Sequence, residues 1–123
     1  MSGGQWLAVA LGGASGALLR HATIGACIRL GAAPFLGTLA VNALGCFAIG
    51  WILTWAERTG ALTEGARAFW MVGLMGAFTT YSTFAADTFT LVETKHAVLA
   101  VVNVLLHLLV GAAALLAGRV IAS

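Results

Sequence analysis

Charged residues divide the chain into long uncharged stretches. No Asp, Glu, Lys or Arg occurs in residues 1–19, 30–56, 68–86 or 96–118. A helix needs about 20 mostly apolar residues to cross the hydrocarbon core of a bilayer. The pattern therefore predicts an all-α membrane protein with one domain over residues 1–123, whose four transmembrane helices lie at about residues 6–28, 35–56, 68–91 and 97–119.

Composition excludes several classes of protein. Of the 123 residues, 61% are hydrophobic and 8% are charged, whereas soluble domains carry roughly 25% charged residues. A net charge of +2 gives no indication of a nucleic-acid partner. Cys27 and Cys46 lie in apolar stretches without a metal-type spacing, so we expect free thiols. No nucleophile, base and orienting group fall at suggestive spacings, so we do not expect an enzyme.

The first apolar segment could be a secretory signal peptide. It lacks a basic region at its start, and glycines and serine at residues 12–16 interrupt its apolar stretch. We therefore expect it to remain in the protein as the first transmembrane helix.

The basic residues give almost no preferred orientation in the bilayer. With four crossings, one side holds Arg58, Arg67 and Arg119, and the other holds Arg20, Arg29 and Lys95. The positive-inside rule counts such residues and finds a tie. One interpretation is a misplaced boundary, or a first helix that dominates insertion. We favour insertion in both orientations, which would give an antiparallel homodimer resembling the inverted repeats of transporters.

Polar residues recur at helical spacing inside two predicted spans. Thr38 and Asn42 are four residues apart in the second helix, as are Asn103 and His107 in the fourth, where Gly111 extends the stripe. Such pairs lie on one helix face. Hydrogen bonds between helices would explain either pair alone, but two stripes favour a polar pathway.

Two charged residues fall within or near the predicted spans. An arginine within a helix is costly in a bilayer, so Arg20 is either an interfacial anchor or a fixed positive charge that attracts anions to a vestibule. Asp87 lies near the end of the third helix, where it pairs with a cation or reaches headgroup water; we favour a structural role.

The third predicted helix contains a run that disfavours helix. Residues 79–84 read Thr-Thr-Tyr-Ser-Thr-Phe. Ser and Thr compete for backbone hydrogen bonds, and β-branched Thr loses side-chain freedom in a helix. Irregular backbone inside a membrane is tolerated only when buried in protein or lining a cavity. We therefore predict a helix break near the middle of the span, whose free carbonyls could bind a small cation; the alternative is a polar but unbroken helix.

Several of these segments together resemble one family. The residues at 13–20 (GASGALLR), 37–42 (GTLAVN), 76–84 (GAFTTYSTF) and 106–109 (LHLL) are similar, in order and spacing, to the Fluc family of fluoride channels, also called CrcB proteins. The resemblance implies a dual-topology homodimer with two fluoride pathways and a central sodium ion. It further implies passive fluoride export across the bacterial cytoplasmic membrane, which protects the cell from fluoride.

The same resemblance implies roles for individual residues. Asn42 and Phe84 match pore positions, and Tyr81 stands where the family has a second pore phenylalanine, so a hydroxyl is added there. Gly76 and Thr79 match the positions whose carbonyls bind sodium.

The resemblance also implies positions along the pathway or its approaches. Arg20 matches an arginine at the vestibule, and Asp87 stands where relatives often carry Glu. Gly111 falls where relatives have Ser, so the polar track with Asn103 and His107 differs. From their chemistry, Asn42 and the hydroxyls of Thr38, Ser82 and Thr83 are candidate donors to the anion.

Two other functional classes remain as alternatives. Small multidrug-resistance exporters also have about this length and four helices, but they need a carboxylate in helix 1, where this chain has Arg20. A subunit that only assembles with other proteins would leave the run at residues 79–84 unexplained.

Overall fold

The computed structural model describes residues 2–123, which are almost entirely helical. The elements in chain order are α1 (Gly3–Arg29), α2 (Pro34–Thr59), α3 (Glu64–Arg67), a π-helical stretch (Ala68–Met75), α4 (Gly76–Phe78), α5 (Tyr81–Glu93) and α6 (Ala97–Ala122). Helices α1, α2 and α6 are each long and apolar enough to cross a membrane. The all-α class and three of the four predicted spans are therefore confirmed.

The remaining predicted span consists of two helical pieces. α3, the π-helical stretch and α4 follow one another from residue 64 to residue 78, and α5 begins at Tyr81. Thr79 and Thr80, between the two pieces, are extended. The prediction of a helix broken near its middle is thus confirmed.

The helix ends have local causes, and the third span begins earlier than predicted. The Thr63 hydroxyl accepts a hydrogen bond from the Ala66 amide at 3.2 Å, so the helix starts at Glu64 rather than near residue 68. Ser2 caps α1 through a reciprocal pair of hydrogen bonds with Gln5. Gly60 ends α2 with φ 64°, a left-handed conformation that glycine adopts without strain.

Two contacts define one end of the molecule. Gln5 Nε2 donates to Glu64 Oε2 at 3.0 Å, which holds the start of α1 beside the start of α3. The Arg58 guanidinium donates to the Ala122 carbonyl, which holds the end of α6 beside the end of α2. The two ends of the described chain and the α2–α3 connection therefore lie together, as an even number of crossings predicts. We call this the tryptophan end, because Trp6, Trp51, Trp55 and Trp70 lie toward it.

Glycines allow the two most extensive helix contacts, which join α2 to α6 and α1 to the π-helical stretch. A Cβ atom on Gly73 would lie 2.7 Å from the Val9 carbonyl oxygen, and one on Gly118 would lie 2.9 Å from the backbone nitrogen of Trp51. Helices inside a membrane gain from such close backbone approach, because lipid offers no hydrophobic driving force between them. One of these contacts therefore joins the broken span to α1, and the other joins α2 to α6.

Candidate ion site at the helix break

The break is a two-residue extended segment with its own cap. Thr79 has φ −78° and ψ 157°, and Thr80 has φ −152° and ψ 111°. The Thr80 hydroxyl accepts a hydrogen bond from the Thr83 amide at 3.2 Å and thereby caps the start of α5. The competition of Thr side chains for backbone donors, from which the break was predicted, is thus visible in the structure.

Asn42 reaches from α2 to pair with the backbone of the break. The Thr80 amide donates to Asn42 Oδ1 at 2.8 Å, and Asn42 Nδ2 donates to the Thr80 carbonyl at 3.1 Å. Thr80 is only 6% exposed, so its backbone groups need partners within the protein. Asn42 supplies both partners and retains its second amide hydrogen for another acceptor.

Several backbone carbonyls lose their usual helical donors at the break, among them those of Gly76 and Thr79. The donor for Gly76 would be the Thr80 amide, which instead bonds Asn42. The donor for Thr79 would be the Thr83 amide, which instead bonds the Thr80 hydroxyl. Unwound carbonyls of this kind bind sodium in transporters. Gly76 and Thr79, the two residues predicted to bind a cation, are therefore among the residues whose carbonyls the break leaves without an i+4 donor.

The break also brings two opposite helix ends together. The helical run 64–78 ends in carbonyls with partial negative charge, and α5 begins with amides of partial positive charge. A helix N-terminus attracts anions and a C-terminus attracts cations. The carbonyls at the end of the helical run 64–78 can therefore attract a cation, while the amides at the start of α5 can attract an anion.

A groove of about 520 Å³ lies against the break. Its lining includes five predicted site residues, together with Cys46, Ile49, Thr80, Val104 and Leu108; the five are Asn42, Thr79, Tyr81, Phe84 and His107. The Phe84 ring lies 5.7 Å from the Tyr81 ring and 4.3 Å from the His107 ring, measured between centroids. Tyr81 is 79% exposed in the single chain.

Thr38 and Asp87 form a separate pair beside this groove. Thr38 Oγ1 donates to Asp87 Oδ2 at 2.6 Å, and Thr38 is 1% exposed. Because its proton is directed to Asp87, the Thr38 hydroxyl is not an anion donor in this arrangement, and Thr38 does not line the groove. Asp87 has its partner within the protein, which agrees with the structural role we favoured.

The two polar residues of the predicted stripe on α6, Asn103 and His107, lie in different surroundings. Asn103 is fully buried, and its Nδ2 donates to Thr88 Oγ1 at 2.9 Å, a contact typical of helix packing. His107 Nδ1 lies 3.0 Å from the Asn103 carbonyl oxygen and must donate to it, because a carbonyl only accepts. Within residues 2–123, Asn103 Oδ1 and His107 Nε2 are buried without a partner. Only His107 of this pair lines the groove.

The hydroxyls at and after the break bond to one another around Thr80. Thr80 Oγ1 donates to Thr83 Oγ1 at 2.9 Å and lies 3.4 Å from Ser82 Oγ. Because the single Thr80 hydroxyl proton goes to Thr83, Ser82 is the donor in its contact with Thr80, and only Thr83 keeps its own proton for another acceptor. Neither Ser82 nor Thr83 lines the groove. Thr80 was not among the predicted site residues, although it is central here: the Thr and Ser run indicated the break, but not which threonine would be extended.

Arg20 lies apart from this cluster. It is half-buried on α1 and does not line the groove. It precedes the end of α1 by nine residues, or about 14 Å of helix rise. The structure of the single chain thus does not bring Arg20 together with the other predicted site residues.

The helices and the polar break define a multi-pass helical membrane protein. Residues 7–119 match the model of a family described as CrcB-like protein, camphor resistance (CrcB). The chain belongs to this family. The resemblance seen in the sequence is thereby confirmed, and it agrees with the lack of any acidic residue in α1, which a small multidrug-resistance exporter would need.

Curated relatives match nearly the whole chain. A protein of Desulforapulum autotrophicum named fluoride-specific ion channel FluC is 40% identical over 118 residues, which cover 95% of this chain and 94% of the relative. A protein of the same name from Geobacter sulfurreducens is 41% identical over 100 residues, covering 80% and 81%. One from a Roseiflexus species is 45% identical over 87 residues, covering 70% of each. These relatives are named as channels, in agreement with the prediction that the chain is not an enzyme.

Proposed function

We propose that this chain is the subunit of a fluoride-selective channel that exports fluoride passively across the bacterial cytoplasmic membrane. The names of its relatives support this function. The observation that carries it here is the groove at the helix break, where a buried backbone segment is held by Asn42 and faced by Phe84.

The chemistry of the groove suits a small anion. Fluoride is strongly hydrated, so a conducting site must replace its water with hydrogen-bond donors. The second Asn42 amide hydrogen supplies a donor, and the start of α5 supplies positive potential. An aromatic ring is positive at its edge, so Phe84 can meet an anion without holding it tightly. Conduction requires binding that is strong enough for entry and weak enough for exit.

Exposure of the break supports an antiparallel homodimer. Tyr81 is 79% exposed, and Gly76 and Ser82 are also exposed in the single chain. Lipid cannot satisfy irregular backbone, so protein must cover this surface. A second copy of the chain would cover it, and the balanced charges permit the opposite orientation. Each copy brings one groove, which gives two pores per dimer.

A central sodium ion is the second part of the proposal. No group of three His, Cys, Asp or Glu suited to a metal occurs among residues 2–123, so backbone oxygens are the candidate ligands. The carbonyls of Gly76 and Thr79 lack helical donors, and two copies of the chain would offer four such oxygens. When bound, the ion supplies a fixed positive charge that offsets the cost of an anion at the bilayer centre.

Ion efflux from proteoliposomes tests the function. Purified protein in liposomes loaded with fluoride or with chloride should release fluoride without an imposed proton gradient and retain chloride. Comparable chloride release, or no fluoride release, would remove the channel assignment.

A separate experiment tests the orientation. Reporters fused to the C-terminus should show both orientations in the unmodified protein, and two lysines inserted between Gly60 and Thr63 should fix one of them. A single orientation in the unmodified protein would exclude dual topology while leaving the fluoride assignment intact.

A further inference from the structure

All four tryptophans of the chain lie toward one end. Trp6 follows the start of α1, Trp51 and Trp55 lie in the last turns of α2, and Trp70 is the third residue of the π-helical stretch. Tryptophan concentrates at the boundary between hydrocarbon and headgroups, where its ring is apolar and its N–H is polar. The tryptophan end therefore marks the depth of the lipid headgroups on this side of the molecule.

An apolar groove of about 400 Å³ opens between three of these rings. It lies between α2 and the segment 61–70, and its walls are the rings of Trp51, Trp55 and Trp70. The Trp51 and Trp55 rings are stacked, with centroids 6.2 Å apart and planes inclined by 3°. All three side chains are between 37% and 45% exposed, so the groove is open to its surroundings. Its shape and lining suit a hydrocarbon chain.

A polar pocket of about 380 Å³ adjoins this groove and shares Leu62 with it. The pocket carries one charge of each sign, Glu57 and Arg67, and both side chains are exposed. At this end of the molecule, the charged side chains of Arg58 and Glu64 form hydrogen bonds. Those of Glu57 and Arg67 form none with other residues in the range 2–123. One positive and one negative group are therefore available beside an apolar slot.

We propose that the groove and the pocket together bind a phospholipid whose headgroup carries a phosphate and a primary ammonium group. One acyl chain lies between the three tryptophans, the phosphate pairs with Arg67, and the ammonium donates to Glu57. Charge complementarity selects this lipid. A purely anionic headgroup would meet the repulsion of Glu57, and a trimethylammonium headgroup has no hydrogen to donate to it.

Native mass spectrometry of the intact protein tests this proposal. The protein is released from mild detergent in the presence of equal amounts of phosphatidylethanolamine and phosphatidylglycerol with identical acyl chains. We expect the wild type to retain phosphatidylethanolamine by about two- to fivefold over phosphatidylglycerol, the range that one exposed ion pair supports. Glu57→Gln should bring this ratio to about one, and Arg67→Gln should reduce retention of both lipids.

A matched control separates this site from general charge effects. Arg119→Gln removes a basic residue at the same end of the molecule, but Arg119 lines neither the groove nor the pocket, so the preference should persist. Equal retention of the two lipids by the wild type, or a preference unchanged by Glu57→Gln, would overturn the proposal. A disulfide between two chains carrying Leu62→Cys in intact membranes would also overturn it, because the groove would then be covered by a second copy.

Discussion

Asn42→Leu tests whether the helix break depends on a single side chain of another helix. Leucine has the same number and branching of side-chain heavy atoms as asparagine but offers neither a donor nor an acceptor. The substitution removes the hydrogen bonds that Asn42 makes to the Thr80 amide, at 2.8 Å, and to the Thr80 carbonyl, at 3.1 Å. Both backbone groups would then lack a partner in the chain.

The size of the effect follows from burial. Thr80 is 6% exposed, so water cannot readily replace Asn42. Leaving one buried polar group unpaired costs about 1–3 kcal/mol, and two such groups cost about 2–6 kcal/mol. Folded proteins are stable by only about 5–15 kcal/mol. We therefore expect a large loss in the free energy of unfolding, together with loss of fluoride efflux, because the groove is built on this segment.

Asn103→Leu is the matched control, since it changes the same residue type at a fully buried position. It removes one hydrogen bond, to Thr88 at 2.9 Å, but it also removes Asn103 Oδ1, which has no partner within residues 2–123. The two effects oppose each other, so we expect a change of about 1 kcal/mol or less.

Reversible denaturant titration of both variants in the same detergent, followed by tryptophan fluorescence, gives the two free energies. The reasoning predicts that Asn42→Leu is the more destabilising by at least about 1 kcal/mol. Equal stability losses, or an Asn42→Leu protein that retains wild-type stability and fluoride efflux, would refute a dependence of the break on Asn42.

Three further predictions concern the break and the groove. Gly45→Ala should reduce both stability and fluoride efflux, because a Cβ atom there would overlap the Thr79 methyl group. Gly111→Ala should be tolerated, because its Cβ atom would lie 3.6 Å from the nearest side chain. Similar thermal stabilities of the two variants would contradict this prediction. Phe84→Ile should abolish fluoride efflux and leave the dimer intact on size exclusion, and unchanged efflux would remove its pore role. Tyr81→Phe should retain efflux, since it removes only the hydroxyl and keeps the ring beside Phe84. Replacing sodium by N-methylglucamine should lower the melting temperature of the purified protein, since a bound ion stabilises the folded state; identical melting curves would argue against the cation site.

Much of the fold could be predicted from the placement of charges, because a bilayer imposes a minimum length on each apolar helix. The run of Thr and Ser at residues 79–84 predicted the break for a reason that the structure bears out, namely the competition of the Thr80 hydroxyl for a backbone amide. The early start at Glu64 followed from a cap at Thr63 that lies among polar residues, where apolar length gives no signal.

The pairings across helices could not be predicted. Asn42 and Thr80 are 38 residues apart, and only the packing of α2 beside the broken span brings them together. Helical spacing placed Thr38 on the same face as Asn42, but it gave no sign that Thr38 would donate to Asp87. The π-helical stretch was likewise not predicted, and Gly73 within it lies so close to α1 that a Cβ atom would be 2.7 Å from the Val9 carbonyl oxygen.

The reversal potential of the current in a planar bilayer tests the central claim most directly. With fluoride on one side and chloride on the other, at equal total concentration and in the presence of sodium, a passive fluoride-selective pore predicts a reversal potential that follows the fluoride gradient by about 59 mV per tenfold change. A reversal potential that follows chloride, that lies near zero, or that shifts with the proton gradient would contradict it.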